Sequence, residues 1–131
     1  MILGIGMDLV EIARMKKACE RSSLPFVKRI LTEQELDMYH ALDSERRKVE
    51  WLSGRFAAKE ALAKAIGTGF GKELSFQDIT IMQDTRGKPT FQLHPKIEAR
   101  YQHATTFHLS ITHTAHYAAS FVIIELGSDP M

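Results

Sequence analysis

Residues 54–67 read "GRFAAKEALAKAIG", and the class of the fold depends on that stretch. Alanine, at 57, 58, 61, 63 and 65, has the best intrinsic helix propensity, and Gly67 suits a C-terminal stop. A helix of about four turns follows. At about 100° per residue, Phe56, Glu60 and Lys64 fall along one flank, with Leu62 and Ile66 opposite, near Arg55 and Lys59. Two readings of the charges stay open. Glu60 and Lys64 form a solvated i,i+4 pair worth about 0.3–0.5 kcal/mol, or they hold a ligand. Ala57, Ala61 and Ala65 surround the pair, so other elements can pack close to it.

Upstream, residues 2–10 alternate as a strand, with Ile5, Met7 and Leu9 on one side and Gly4, Gly6, Asp8 and Val10 on the other. "EIARMKKACER" (11–21) returns to helical spacing, with an apolar stripe of Ile12, Met15 and Cys19. "SSLPF" predicts a break, with Pro25 opening a new helix through about Ile30. Thr32 and Glu35 make the Thr-x-x-Glu pattern of a capping box. "DSERRK" is a loop or the start of the helix that follows. Downstream of "GTGFG" the periodicity changes: "FQDITIMQD", a "TRGKP" turn and "TFQLH" predict a hairpin. A short helix over "PKIEARYQHA" and the strands "FHLSIT" and "YAASFVIIEL" complete the pattern. Strand, helices, then antiparallel strands is an α+β order: one domain over 1–126, an antiparallel sheet packed by helices, and a loose tail at 127–131.

With 131 residues, 44% hydrophobic and 25% charged, the chain reads as one soluble globular domain with a real core. Seventeen Lys and Arg against sixteen Asp and Glu give a formal charge of +1, which argues against a protein built to coat nucleic acid. One cysteine, Cys19, excludes an intrachain disulfide and a multi-cysteine metal site. "MILGIGMDLV" has neither the basic start of a secretion signal nor the length of a membrane span, so a cytoplasmic location without membrane contact is expected.

Asp8 sits poorly in a strand interior. It either caps the helix that follows or belongs to a site, and Gly4 and Gly6 on its face leave room for something to approach the backbone. Two carboxylates from separate elements with lysines nearby are the minimum for a Mg²⁺–phosphate site. "GTGFG" follows a helix, so it offers no N-terminal amides to phosphate, and His113 in "SITHTAH" is equally consistent with a turn histidine. Arg14, Lys17 and Arg21, followed by Lys28 and Arg29, form a basic stripe beside Met15 and Phe26, expected as exposed apolar residues. The stripe is a solvated face or a docking face for an acidic partner.

Taken together, "GIGMDLVEIARM", "RILTEQEL", "GRFAAKEALAKAIGTGFGKELSFQDITI", "RGKP" and "HLSITHTAHYAASFVII" resemble the holo-[acyl-carrier-protein] synthases, small 4′-phosphopantetheinyl transferases, over residues 1–125 or so. The resemblance implies transfer of the phosphopantetheine arm of coenzyme A to a serine of an apo-acyl carrier protein, releasing adenosine 3′,5′-bisphosphate, in fatty acid biosynthesis. It implies Asp8 and Glu60 as Mg²⁺ ligands, Lys59 and Lys64 on the phosphates, and Glu60 as acceptor of the serine proton. It further implies a homotrimer with coenzyme A bound between subunits. Gly87, Lys88 and Pro89 would line the adenine end, and Thr112 and His113 would contact nucleotide phosphates. Arg46, Arg47 and Arg55 would reach the 3′-phosphate, and Arg14, Lys17, Arg21, Phe26, Lys28 and Arg29 would receive the carrier protein. Larger two-domain relatives have a second acid where this chain has Val10, so two protein ligands to the metal are expected. A Mg²⁺-dependent nucleotide hydrolase would use the same acids and lysines. A binding module would use the basic stripe and be indifferent to Asp8 and Glu60.

Overall fold

The computed structural model describes residues 1–128, the Ser23 side chain excepted. In chain order the elements begin with β1 (Ile2–Glu11), α1 (Ile12–Ile30), α2 (Glu33–His40) and α3 (Glu45–Ile66). A 3₁₀ turn (Phe76–Asp78) leads into the hairpin β2 (Ile79–Gln83) and β3 (Pro89–Leu93), then α4 (Pro95–Glu98), β4 (Thr105–His113) and β5 (Tyr117–Leu126). One antiparallel sheet has the order β1-β5-β4; β2 and β3 form a separate two-stranded sheet. The architecture is α+β, as the order of periodicities predicts.

The decisive stretch is the second half of a longer helix. "DSERRK" is its start: the Ser44 hydroxyl accepts from Arg47 N–H at 3.1 Å. Its end is Gly67, at φ +94°, whose N–H donates to Ala63 O. The capping box at α2 is present, with Thr32 N–H donating to Glu35 Oε1 at 2.9 Å.

The expected break at Pro25 is absent. α1 runs unbroken for 19 residues with Pro25 inside it. An interior proline removes a backbone hydrogen bond and costs about 3 kcal/mol. The turn that follows offsets this by burying Val27, Ile30 and Leu31, each at most 3% exposed. Continuity also corrects the reading of Met15 and Phe26. Eleven residues apart, three helical turns, they share the inner face: Met15 is buried and Phe26 packs against the same core cluster.

α3 separates two apolar cores. One holds Met15, Val27, Tyr39 and Leu52; the other joins Ala61, Leu62, Ile79, Ile81, Leu109 and Ile124. Gly4 and Gly6 set its distance from β1, since a Cβ at either would overlap the carbonyl oxygens of Ala65 and Ala61. The room that those glycines leave is therefore filled by the helix. In consequence Gly4, Gly6, Asp8 and Val10 face α3, while Ile5, Met7 and Leu9 project outward at 58%, 60% and 62% exposure.

Of the predicted tail, Gly127 N–H donates to Ala104 O at 3.0 Å. Residues 129–131 lie outside the described residues.

Candidate active site

The close packing of β1 on α3 brings Asp8 beside the outer flank of the helix. Lys64 Nζ donates to Asp8 Oδ1 and to Met7 O, at 3.0 Å each. Asp8 therefore does not cap α1, whose N-cap is Glu11 without a side-chain bond. Lys64 is likewise turned to β1, with no ion pair to Glu60 among the described residues. Burial, together with the Asp8 charge, pushes the Glu60 carboxyl above its ordinary value, and Lys64 opposes the rise. Asp8, Glu60, Phe56, Arg14 and Glu11 border one cavity of about 360 Å³.

Val10 is buried in the core beside this cavity, so the position offers no third acid. Among the described residues no group of three or more His, Cys, Asp or Glu is placed to hold a metal. Two carboxylates bordering one cavity are a donor set that fits Mg²⁺, which takes one or two carboxylates and completes its shell with water and phosphate.

Lys59 needs correction as a phosphate contact. One residue before Glu60, it points into the core and is 0% exposed. Its ammonium donates to Ile30 O and Glu35 Oε1 at 2.6 Å each and to Phe76 O at 3.1 Å. Every N–H of the group is occupied. Burial lowers its pKa and the Glu35 carboxylate opposes that shift. Lys59 ties the ends of α1, α2 and the 3₁₀ turn to α3, and so fixes the rotation that directs Glu60 outward.

A second cavity, about 200 Å³, opens on another flank of α3 and gathers Arg47, Arg55, Gly87, Pro89 and His113. Gly87 holds φ +84° in the β2–β3 turn, where Asp84 Oδ1 accepts from Arg86 and Lys88 N–H. Arg55 is 6% exposed, and its Nε and Nη2 lack hydrogen-bond partners. Its guanidinium lies 4.2 Å from the Trp51 ring centroid, and burial lowers its pKa to about 10, so it stays charged at neutral pH. A buried cation with unmet donors is a feature that an anion completes.

The remaining predicted residues disperse. Arg46 is almost fully solvated and pairs with Glu50 at 3.3 Å. The Lys88 side chain is exposed, outside the lining of the second cavity. Thr112 points to the outer sheet face, in a row with Ala119 and Leu9, while its neighbour His113 turns to the cavity and meets Glu50 Oε2 at 3.2 Å. Arg14, Lys17, Arg21, Lys28 and Arg29 are exposed on α1, with Arg14 at the rim of the acidic cavity.

Sequence reading missed Trp51 and Glu50. Trp51 precedes Arg55 by one helical turn, a stacking spacing that was visible. Glu50 showed only its i,i+4 spacing to Arg46; its contact with His113 joins residues distant in sequence.

A model of the 4′-phosphopantetheinyl transferase superfamily matches residues 4–122. The chain belongs to that superfamily. Holo-[acyl-carrier-protein] synthase of Staphylococcus haemolyticus is 50% identical over 125 residues, 95% of this chain and 98% of the relative. The crystal structure of a Bacillus anthracis holo-(acyl-carrier-protein) synthase in complex with CoA (3′,5′-ADP) aligns at a TM-score of 0.82 with 41% identity, covering 97% of this chain and 99% of that one. The Neisseria meningitidis synthase aligns at a TM-score of 0.87 with 36% identity, covering 95% and 99%. In this chain the acidic cavity carries Asp8 and Glu60, and the arginine-rich cavity carries Arg47, Arg55 and His113.

Proposed function

We propose that this chain is a holo-[acyl-carrier-protein] synthase, moving 4′-phosphopantetheine from coenzyme A to a serine of apo-acyl carrier protein. The observation that carries the reading is the Asp8–Glu60–Lys64 cluster in a chain of this superfamily. In the reaction the serine oxygen attacks the phosphorus that bears pantetheine, the bond to the bridging oxygen breaks, and adenosine 3′,5′-bisphosphate leaves. Asp8 and Glu60 are the residues to hold Mg²⁺, which neutralises charge on the pyrophosphate oxygens when bound. Glu60, directly or through a water, takes the serine proton. Lys64, 54% exposed at the last turn of α3, can turn an N–H to the departing phosphate. Arg55, Arg47 and His113 receive the nucleotide phosphates, with Gly87 and Pro89 against the base.

Two features support a homotrimer with the site completed by a second copy. Ile5, Met7, Leu9 and Phe121 form an exposed apolar sheet face, the kind that a partner covers. The acidic cavity and the arginine-rich cavity lie on flanks of α3 about 140° apart at about 100° per residue, so one chain presents them in different directions. Thr112 on the outer sheet face is then placed to serve a neighbouring copy. The exposed cations of α1, with Arg14 at the acidic rim, are the docking face for an acidic carrier.

Intact mass of apo-acyl carrier protein after incubation with this protein, Mg²⁺ and coenzyme A tests the reading. A gain of one phosphopantetheine group, lost with chelator, is expected. Coenzyme A cleaved without a mass gain would instead establish a hydrolase.

A further inference from the structure

Lys64 is the counter-ion of Asp8. Two of its three N–H donors are taken by Asp8 Oδ1 and Met7 O. The backbones that carry Asp8 and Glu60 are held at a fixed spacing, because Gly4 and Gly6 of β1 lie directly on the Ala65 and Ala61 carbonyls. The mobile member of the cluster is the Lys64 side chain, more than half exposed, with four rotatable bonds. While its ammonium rests on Asp8, the site offers a cation one net negative charge instead of two. Moving the ammonium onto a phosphate oxygen restores the second.

Resting on the transferase reading, we infer that Lys64 is a resident cation which a divalent metal must displace from Asp8, and that the coenzyme A pyrophosphate, by drawing Lys64 away, makes metal and coenzyme A bind with positive coupling. The two ligands then promote each other by the same factor, as linkage requires. Binding of the metal alone is held back, so the protein collects metal chiefly together with the phosphates that need it. Lys64 acts here as a positioning residue in addition to its contact with the leaving phosphate.

Mn²⁺ binding, read from the electron paramagnetic resonance of the free ion, tests this on the wild type, Lys64→Met and Asp8→Asn, each with and without coenzyme A. Lys64→Met is expected to bind Mn²⁺ alone about fivefold tighter, the equivalent of about 1 kcal/mol and the upper range for an exposed ion pair. The tightening that coenzyme A produces should shrink by a similar factor. Wild-type Mn²⁺ affinity and coupling in Lys64→Met overturns the counter-ion role while Asp8→Asn still loses the metal. Unchanged Mn²⁺ binding by Asp8→Asn overturns the metal site and this inference together.

Discussion

Arg55→Met separates stability from binding. The guanidinium is buried with Nε and Nη2 unbonded, and each such donor costs about 1–3 kcal/mol when removed from water without a partner. Methionine keeps an unbranched apolar side chain in the same space and removes both donors. Against this stands the stack on Trp51 at 4.2 Å, worth about 0.5–2 kcal/mol. The free protein should therefore be as stable as wild type or more so, by up to about 5 kcal/mol. For a chain of this length that is a rise in Tm of up to about 20 °C. Binding moves the other way. A charge-assisted bond to phosphate is worth about 1.5–3 kcal/mol, so losing one raises Kd for adenosine 3′,5′-bisphosphate about ten- to 150-fold. Thermal melts of the free protein and titration calorimetry with the nucleotide measure both. A Tm lower by several degrees with an unchanged Kd would refute the argument, making Arg55 a structural strut that happens to border a cavity.

Other consequences concern the frame and the docking face. Gly6→Ala drives a methyl into helix backbone at Ala61 and Ala65, which cannot yield; urea unfolding should show a loss of about 2–3 kcal/mol, with transfer activity falling as Asp8 leaves Glu60. Because the folded-state pKa of Glu60 is raised, the folded chain holds that proton more tightly than the unfolded one. Stability of the metal-free protein should then fall as pH rises from the ordinary carboxylate range through the raised value, and Glu60→Gln should lose this part of the slope in denaturant melts. Lys59→Met strands a buried Glu35 and should cost about 3–5 kcal/mol. Adding Glu35→Gln, which keeps a carbonyl oxygen for Ile81 N–H, should recover at least about 1 kcal/mol in the same assay. Reversing Lys17 and Arg21 to Glu should raise KM for the carrier protein at least about fivefold while sparing coenzyme A binding, since both are exposed on α1 away from either phosphate cavity.

Local chemistry made some of this legible from the sequence. The Thr32–Glu35 box, the Gly67 stop and the Asp84–Gly87 turn are set by residues within a few positions of one another, and each appears where its pattern predicts. The sequence was least informative where a distant partner decides. Pro25 has the local character of a break, yet the core contacts of Val27 and Ile30 carry α1 through it. Lys59 and Glu60 are adjacent and alike in polarity, and helical spacing gives their relative angle but not which one faces inward. The answer lies with Glu35 and the carbonyls of Ile30 and Phe76, from segments 17 to 29 residues away. The family motif placed both residues at the site; the fold keeps only Glu60 there.

The orientation of β1 follows from the same competition. Alternation alone would bury Ile5, Met7 and Leu9 and expose Gly4, Gly6 and Asp8, because apolar burial is the stronger driving force. The strand does the reverse. Only a face without side chains at positions 4 and 6 lets α3 come close enough for Lys64 to reach Asp8 at 3.0 Å. Turning that face inward leaves three large apolar side chains in water, beside Phe121 at 40% exposure on the neighbouring strand. For a single chain this arrangement forfeits core area in order to assemble a polar site. It would become favourable if another copy covered the outer sheet face. The glycines that let β1 approach α3 thus also leave an apolar face exposed on the other side of the strand.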